Sequence, residues 1–142
     1  MTLMKIEKCI NYLLTQTQIK VNQKFRENLA ECNVTPAQYF MLYYLWEEDG
    51  LSPTQLSNLS GLDTSTVTGL LTRLEEKGFI TRINSKDDRR SVNVYLSKEG
   101  SALKDSVDTI IQKSNVDVLS GFTKAEQVSL ENFLLRILGI LN

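Results

Sequence analysis

The 142 residues of this chain suffice for a core of its own and suit one domain, or a small domain with helical extensions. A run of about 18 apolar residues is absent, which excludes a membrane-spanning helix, and Lys5, Glu7 and Lys8 interrupt the place of an export signal. We therefore expect a cytoplasmic protein. Histidine is also absent, which argues against histidine-based catalysis and histidine-containing zinc sites. We expect no enzyme, cofactor or metal.

The net charge of −1 argues on its own against a nucleic-acid partner, but the charges are unevenly distributed. Residues 82 to 90 contain four basic and two acidic side chains, whereas residues 47 to 49 are all acidic. A local basic site therefore remains compatible with the composition.

A long amphipathic helix is expected over residues 3 to 30, where apolar residues recur at three- and four-residue steps. Neither proline nor glycine interrupts it, and at the usual rise it would be about 40 Å long. One small domain cannot cover such a helix, so we expect part of its apolar stripe to contact a second subunit.

Three helix starts carry a capping box, in which a hydroxyl caps the amide three residues on and a Glu or Gln reaches back. These boxes begin at Thr35, Ser52 and Thr123, and both prolines of the chain directly follow such a residue. The helices are expected at residues 36–48, 53–60 and 124–141. The first should be buried on most sides, and the last has enough apolar surface to contact a second subunit as well.

The fourth helix is expected from a cap at Asp63 to a stop at Gly78, with one apolar face and one small polar face. The apolar stripe consists of Val67, Leu70, Leu71 and Leu74. The opposite face consists of Ser65, Thr68, Gly69 and Thr72, flanked by Arg73 and Lys77. This face therefore carries no bulky side chain that would keep the helix out of a groove.

A basic hairpin follows the fourth helix. Residues 79 to 83 and 92 to 96 are rich in β-branched and aromatic side chains, as strands are. The charged loop between them contains Lys86, Arg89 and Arg90 and would form a wing. Ser97 then caps a fifth helix that is expected to run to about residue 116.

Residues 73 to 97 resemble the MarR family of bacterial transcription regulators. The resemblance rests on Arg-Leu-Glu before Gly78, on Arg82, on Asp88-x-Arg90 in the wing, and on the strand that runs into Leu96-Ser97 with Gly100. An isolated Asp-x-Arg has little meaning, but its place between a recognition-type helix and a strand is specific. The similarity extends over nearly the whole chain.

The resemblance implies a mainly α fold with a small β wing, a winged helix-turn-helix with N- and C-terminal dimerisation helices. Residues 1–34 and 98–142 would form the dimerisation region, and residues 35–97 the DNA-binding region. It further implies a homodimer that binds a pseudo-palindromic operator in double-stranded DNA. Such a protein would be a repressor relieved by a small-molecule effector.

By the same resemblance, the fourth helix would enter the major groove, and Arg90, oriented by Asp88, would reach the minor groove or its phosphates. The candidate DNA-binding residues are Ser65, Thr66, Thr68, Thr72, Arg73, Lys86, Arg89 and Arg90. Short hydroxyls discriminate bases weakly compared with the roughly 1–3 kcal/mol of an arginine–guanine pair, so specificity is expected to depend also on DNA shape and on the wing.

Other interpretations of these basic residues remain open. Arg89 and Arg90 could be solvated beside Asp87 and Asp88, and Arg73 could pair with acidic residues of its own helix. Many family members carry a proline before the acidic pair, whereas Lys86 stands near that point here, which predicts a more flexible wing.

Two further features invite functional interpretations. The candidates for an effector pocket are Tyr39, Tyr43 and Trp46, from an aromatic set that also includes Tyr44. The family often binds small aromatic effectors, although core packing is the competing interpretation. Cys9 is close in sequence to the position at which the peroxide-sensing branch of the family has its reactive cysteine, although Asn11 occupies the equivalent position here. A redox-responsive regulator that uses Cys9 is therefore an alternative, and Cys32 is expected in a loop. A winged-helix protein-interaction module that binds no DNA is another.

Overall fold

The computed structural model describes residues 1–88 and 91–142. The helices are α1 (Ile10–Leu29), α2 (Pro36–Glu47), α3 (Pro53–Ser60), α4 (Thr64–Glu76), α5 (Lys98–Ala102), α6 (Lys104–Val118) and α7 (Lys124–Ile137). Strands β1 (Ile80–Asn84) and β2 (Val92–Leu96) form an antiparallel sheet. The predicted fold class, mainly helical with a small β wing, is confirmed. Among the described residues, no helix has both the length and the apolar character needed to cross a membrane.

The prediction of one continuous helix over residues 3 to 30 is wrong at its N-terminal end. A 3-10 turn at Ile6–Lys8 precedes α1, and Cys9 between them has an extended backbone with φ −79 and ψ 114. The 20 residues of α1 therefore span about 30 Å. Leu3 and Met4 are 90% and 72% exposed, so no tertiary packing stabilises a further helical turn there.

The two predicted C-terminal helices also differ from the structure, the first by a division and the second by an earlier end. The expected helix from Ser97 to about residue 116 is divided at Leu103, whose side chain packs against both clusters of the core. The expected helix over residues 124 to 141 ends at Ile137, because Gly139 takes φ +80 and its amide donates to the carbonyl of Arg136. Gly139 is the stop signal that the sequence reading overlooked.

The predicted helix caps are confirmed. The capping boxes at Thr35, Ser52 and Thr123 have both of their hydrogen bonds. Asp63 accepts from the amide of Thr66 at 2.7 Å and so starts α4 where the sequence placed it. These local hydrogen bonds determine the residue at which each helix begins.

The larger core cluster joins α2, α3, α4 and the sheet. The buried side chains of α2 pack against the apolar stripe of α4 and against residues of α3 and both strands; the cluster includes Met41, Leu42, Leu45, Leu56, Val67, Leu71, Leu74, Ile80 and Val94. The prediction that α2 is buried on most sides needs one correction. Phe40 and Tyr43 are 42% and 43% exposed, because the cluster covers only the opposite side of α2.

A smaller cluster of Leu29, Val107 and Ile110 joins the C-terminal half of α1 to α6. Trp46 packs against both clusters, and its indole Nε1 donates to the carbonyl oxygen of Gly100 at 3.0 Å. Nearby, Asn28 Nδ2 donates to Ser114 Oγ at 2.9 Å. The C-terminal half of α1 is thus anchored to the body of the protomer.

We expect the Gly100→Ala variant to be less stable than the wild type by about 1–3 kcal/mol, as for overpacked sites. A Cβ atom at Gly100 would overlap the carbonyl oxygen of Phe79, which already accepts from the amide of Ser97. Urea denaturation measures the change. Gly121→Ala is the matched control, because a Cβ atom there would meet nothing within 4 Å. Equal stability of the two variants would contradict this account.

Candidate nucleic-acid interface

Helix α4 presents a polar face to solvent because its apolar stripe is buried. Val67, Leu71 and Leu74 are fully buried in the larger core cluster. On the opposite side the side chains are exposed, apart from the half-buried Thr72; this face comprises Ser65, Thr66, Thr68, Gly69, Thr72 and Arg73. The structure therefore gathers the predicted recognition residues of α4 on one accessible surface.

The threonine hydroxyls of this face are engaged within the helix. Thr68 Oγ1 donates to the carbonyl of Thr64 at 2.9 Å, and Thr72 Oγ1 donates to that of Thr68 at 3.0 Å. Thr66 Oγ1 donates to Asp63 Oδ2 at 3.0 Å. In this arrangement the hydroxyls offer an external partner their acceptor lone pairs and methyl groups. Hydrogen bonds from the protein to phosphate oxygens would need these hydroxyls to rotate.

Two basic residues near the end of α4 have different surroundings. Arg73 is exposed, and within the described ranges the ion pair found on this helix joins Glu75 to Arg82 instead. Lys77 was expected to flank the polar face, but its ammonium turns away from it and donates to the carbonyl of Asn33 and to Gln38 Oε1. Only Arg73 of the two is free to approach a phosphate from this face.

The wing is connected to the core through the segment between α2 and α3. Leu51 forms a bridge with Val94 of β2, and the amide of Gly50 donates to the carbonyl of Val94 at 2.9 Å. Asp49 Oδ1 accepts from the amide of Leu96 at 2.9 Å, which gives one member of the acidic run a structural role. Strand β2 of the wing is therefore held against the segment that connects α2 to α3.

At the tip of the wing, Lys86 is exposed and Asp88 contacts the returning chain. The amide of Ser91 donates to the carbonyl of Asp88 at 3.0 Å, and Ser91 Oγ approaches Asp88 Oδ2 at 3.3 Å. Arg89 and Arg90 lie outside the described residues, so their contacts with DNA and the orienting role of Asp88 stay predictions. The greater flexibility expected of this wing also stays a prediction.

Glu75 links α4 to the first strand of the wing. Its Oε1 accepts from the guanidinium of Arg82 at 3.0 Å, and its Oε2 accepts from the Arg82 amide at 3.0 Å. The hydrogen bond from the Arg82 side chain, followed by the one from its amide, lowers the pKa of Glu75 below its usual range. The carboxylate form is thus the one that connects helix and wing.

This link predicts a dependence of stability on acid pH. Because the folded-state pKa of Glu75 is depressed, its stabilising effect is present above the ordinary glutamate pKa of about 4.3 and is lost as the pH falls through the folded value. Urea denaturation between pH 3 and 6 should show a shallower acid-side loss for Glu75→Gln than for the wild type. The matched control is Glu76→Gln, because Glu76 is an exposed glutamate of the same helix. The stability of this variant should depend on pH as that of the wild type does. Parallel slopes for all three proteins would contradict the assignment.

Exposed and half-buried aromatic residues of α2 line a cleft of about 310 Å³. Its walls are Tyr39, Phe40, Tyr43, Tyr44 and Ser60. Trp46, predicted as a pocket residue, is not among them, since its indole packs inward and bonds to Gly100. Ser60 was not predicted, because only the fold brings the end of α3 beside α2. Phe40 was not predicted either, although it lies on α2 directly after Tyr39. Burial, with a smaller effect of Asp108, raises the pKa of Tyr39, so this phenol stays a neutral hydrogen-bonding group.

The two cysteines lie at opposite ends of α1. Cys9 is half-buried at the residue that precedes the helix, and Cys32 is half-buried in a 3-10 turn rather than in an irregular loop. Burial, and then the charge of Glu31, raises the pKa of Cys32, which disfavours its thiolate. The redox role of Cys9 stays a prediction. Across the described ranges, no three His, Cys, Asp or Glu side chains are grouped as a metal site.

Comparisons with known proteins match this architecture. A family model described as the MarR family matches residues 34–92. The organic hydroperoxide resistance transcriptional regulator of Bacillus subtilis (strain 168) is 34% identical over 102 residues, which are 72% of this chain and 69% of that protein.

Two solved structures have closely similar folds. A probable transcriptional regulator from Pseudomonas aeruginosa is 27% identical with a TM-score of 0.87, over 94% of this chain and 99% of that one. MepR from S. aureus, solved as a complex with DNA, is 25% identical with a TM-score of 0.80, over 93% of this chain and 98% of that one.

Proposed function

This chain belongs to the MarR family of transcriptional regulators, and from that premise we propose that it is a homodimeric, sequence-specific DNA-binding repressor. As a transcription regulator it is not an enzyme. The observation that carries the proposal is the exposed polar face of α4, presented beside a wing while the opposite face of the helix is buried. We place the protein in the cytoplasm, with the DNA that it would bind.

In the proposed complex, α4 enters the major groove and the wing lies along the adjacent backbone. Ser65, Thr66, Thr68 and Thr72 meet base edges or phosphates. A protein of net charge −1 must concentrate positive charge locally in order to bind phosphates. In this complex that charge comes from Arg73, Lys86, Arg89 and Arg90. MepR, which has a similar fold, was solved as a complex with DNA, and this supports DNA as the partner of the present chain.

The second subunit would be a copy of the same chain. Large apolar side chains are exposed near both termini; they include Ile6, Ile10, Leu13, Ile19, Phe133, Ile137, Leu138 and Ile140. No side chain of α7 is buried within the protomer. Residues 1–34 and 98–142 are thus the proposed dimerisation region, and residues 35–97 the DNA-binding region.

The cleft beside α2 is the proposed effector site. A flat aromatic molecule could stack on Tyr39, Phe40 or Tyr43, and the neutral Tyr39 phenol could bond to a polar substituent. Because α2 also packs on α4, a ligand in the cleft that shifts α2 would also shift the recognition helix. Release of DNA by such a ligand is the proposed mode of regulation.

Selection of bound sequences from a random pool of double-stranded DNA tests the proposal. The expected result is a pseudo-palindrome with half-sites about 10 base pairs apart, bound with an affinity that falls steeply with salt. Failure to select any DNA at low salt, with recovery of a stable protein partner, would instead support the alternative of a protein-interaction module.

A further inference from the structure

The C-terminal end of α4 is bonded to the junction between α1 and α2. The ammonium of Lys77 donates to the carbonyl oxygen of Asn33 at 2.8 Å and to Gln38 Oε1 at 2.7 Å. These partners lie 44 and 39 residues away along the chain, so both contacts connect separate parts of the fold. We call this pair of contacts the Lys77 clamp.

Both partners of the clamp are themselves fixed. Gln38 is 2% exposed, and its Oε1 also accepts from the amide of Thr35 at 3.1 Å in the capping box of α2. Asn33 takes φ 57, a left-handed conformation that asparagine tolerates, and its amide donates to the carbonyl of Ala30. The ammonium is therefore anchored to a buried amide and to a defined backbone turn.

The structure assigns Lys77 the role of a positioning residue, which sets the angle between the recognition helix and the dimerisation helix α1 and so the half-site spacing that the dimer accepts. This inference rests on the proposed function. With 13 residues, α4 is about 20 Å long, so a tilt of about 10° at its clamped end moves the other end by about 3.5 Å. That displacement is close to the step of about 3.4 Å between base pairs.

Lys77 is distinct in this respect from a phosphate-binding lysine. Its ammonium donates into the protein, and it lies at the C-terminal end of α4, beyond the polar face. Burial of the ammonium, and the nearby charge of Arg73, lower the pKa of Lys77, which agrees with an inward position. Loss of this charge should therefore leave the number of phosphate contacts unchanged.

The Lys77→Met variant tests the clamp, because methionine keeps much of the side-chain length and removes the hydrogen bonds. Affinity is measured on the selected operator and on two versions with the half-sites one base pair closer or farther apart. We expect about tenfold weaker binding at the native spacing, a reduced preference for that spacing, and an unchanged slope of affinity against salt. Lys113→Met, at an exposed lysine of α6, should match the wild type in all three.

Three outcomes would overturn the inference: unchanged affinity and spacing preference, an equal loss at every spacing, or a salt slope reduced by about one, which marks a lost phosphate contact. Spin labels on Ser65→Cys in a Cys9→Ser, Cys32→Ala background give a second measurement without DNA. The distance between the spin labels on the two α4 helices should have a broad distribution in Lys77→Met and a narrow distribution in the labelled protein that retains Lys77. Equal widths would also overturn the inference, whereas absence of wild-type DNA binding would contradict only the proposed function.

Discussion

The Ile137→Glu variant should sediment as a monomer at micromolar concentration and bind the operator at least about 100-fold more weakly than the wild type. Ile137 is 62% exposed on a helix that buries none of its side chains in the protomer. In a dimer contact its replacement would bury an unpaired carboxylate, which costs far more than the contact gains. A monomer also loses the gain in effective concentration that two linked half-site contacts provide.

Analytical ultracentrifugation and a DNA titration measure the two effects. Asn132→Glu is the matched control, because it adds the same carboxylate to an exposed polar position of α7. We expect this control to remain dimeric. If Ile137→Glu stays dimeric as well, the apolar surface of α7 is not the contact between subunits and the proposed dimerisation region must be redrawn.

Replacement of Arg90 by alanine should weaken operator binding by about 10- to 100-fold while the dimer and its stability remain unchanged. The sequence places Arg90 in the wing beside Asp88, and the described part of the wing shows a base fixed to the core at Val94. An arginine on such a support can enter a narrow minor groove or contact its phosphates.

The salt dependence separates the two modes of contact. A loss of affinity that is uniform across operator variants, with the slope of affinity against salt reduced by about one, indicates a phosphate contact. A loss of affinity confined to operators with A·T-rich flanks indicates reading of the minor groove. Lys113→Ala removes an equal charge far along the chain and should have little effect. Unchanged binding by Arg90→Ala would refute the assignment of the wing.

Signals confined to a few neighbouring residues were enough to predict most of the helix starts. The capping boxes at Thr35, Ser52 and Thr123 place their helices correctly because each satisfies the first amides of the helix by itself. The polar face of α4 was likewise predictable, since burial of a strict apolar stripe leaves the opposite side exposed.

Features that depend on distant contacts were not predictable in the same way. The division of the fifth predicted helix at Leu103 reflects packing of this side chain against two clusters. Helix α1 begins only after Cys9, because one protomer offers no partner surface for a further turn. The inward turn of Lys77 depends on Asn33 and Gln38, which lie far away in the sequence. Gly139 was different, because a glycine near a helix end is a local signal that went unused.

The position of Trp46 gives this protein a built-in optical reporter. It is the chain's one tryptophan, and it lies where the cluster around α1 and α6 meets the cluster around α4. Its indole is also bonded to the carbonyl of Gly100, at the start of the C-terminal helices. Any movement between the proposed dimerisation and DNA-binding regions would change the surroundings of this ring. Intrinsic fluorescence can therefore follow DNA and effector binding in the unlabelled wild-type protein.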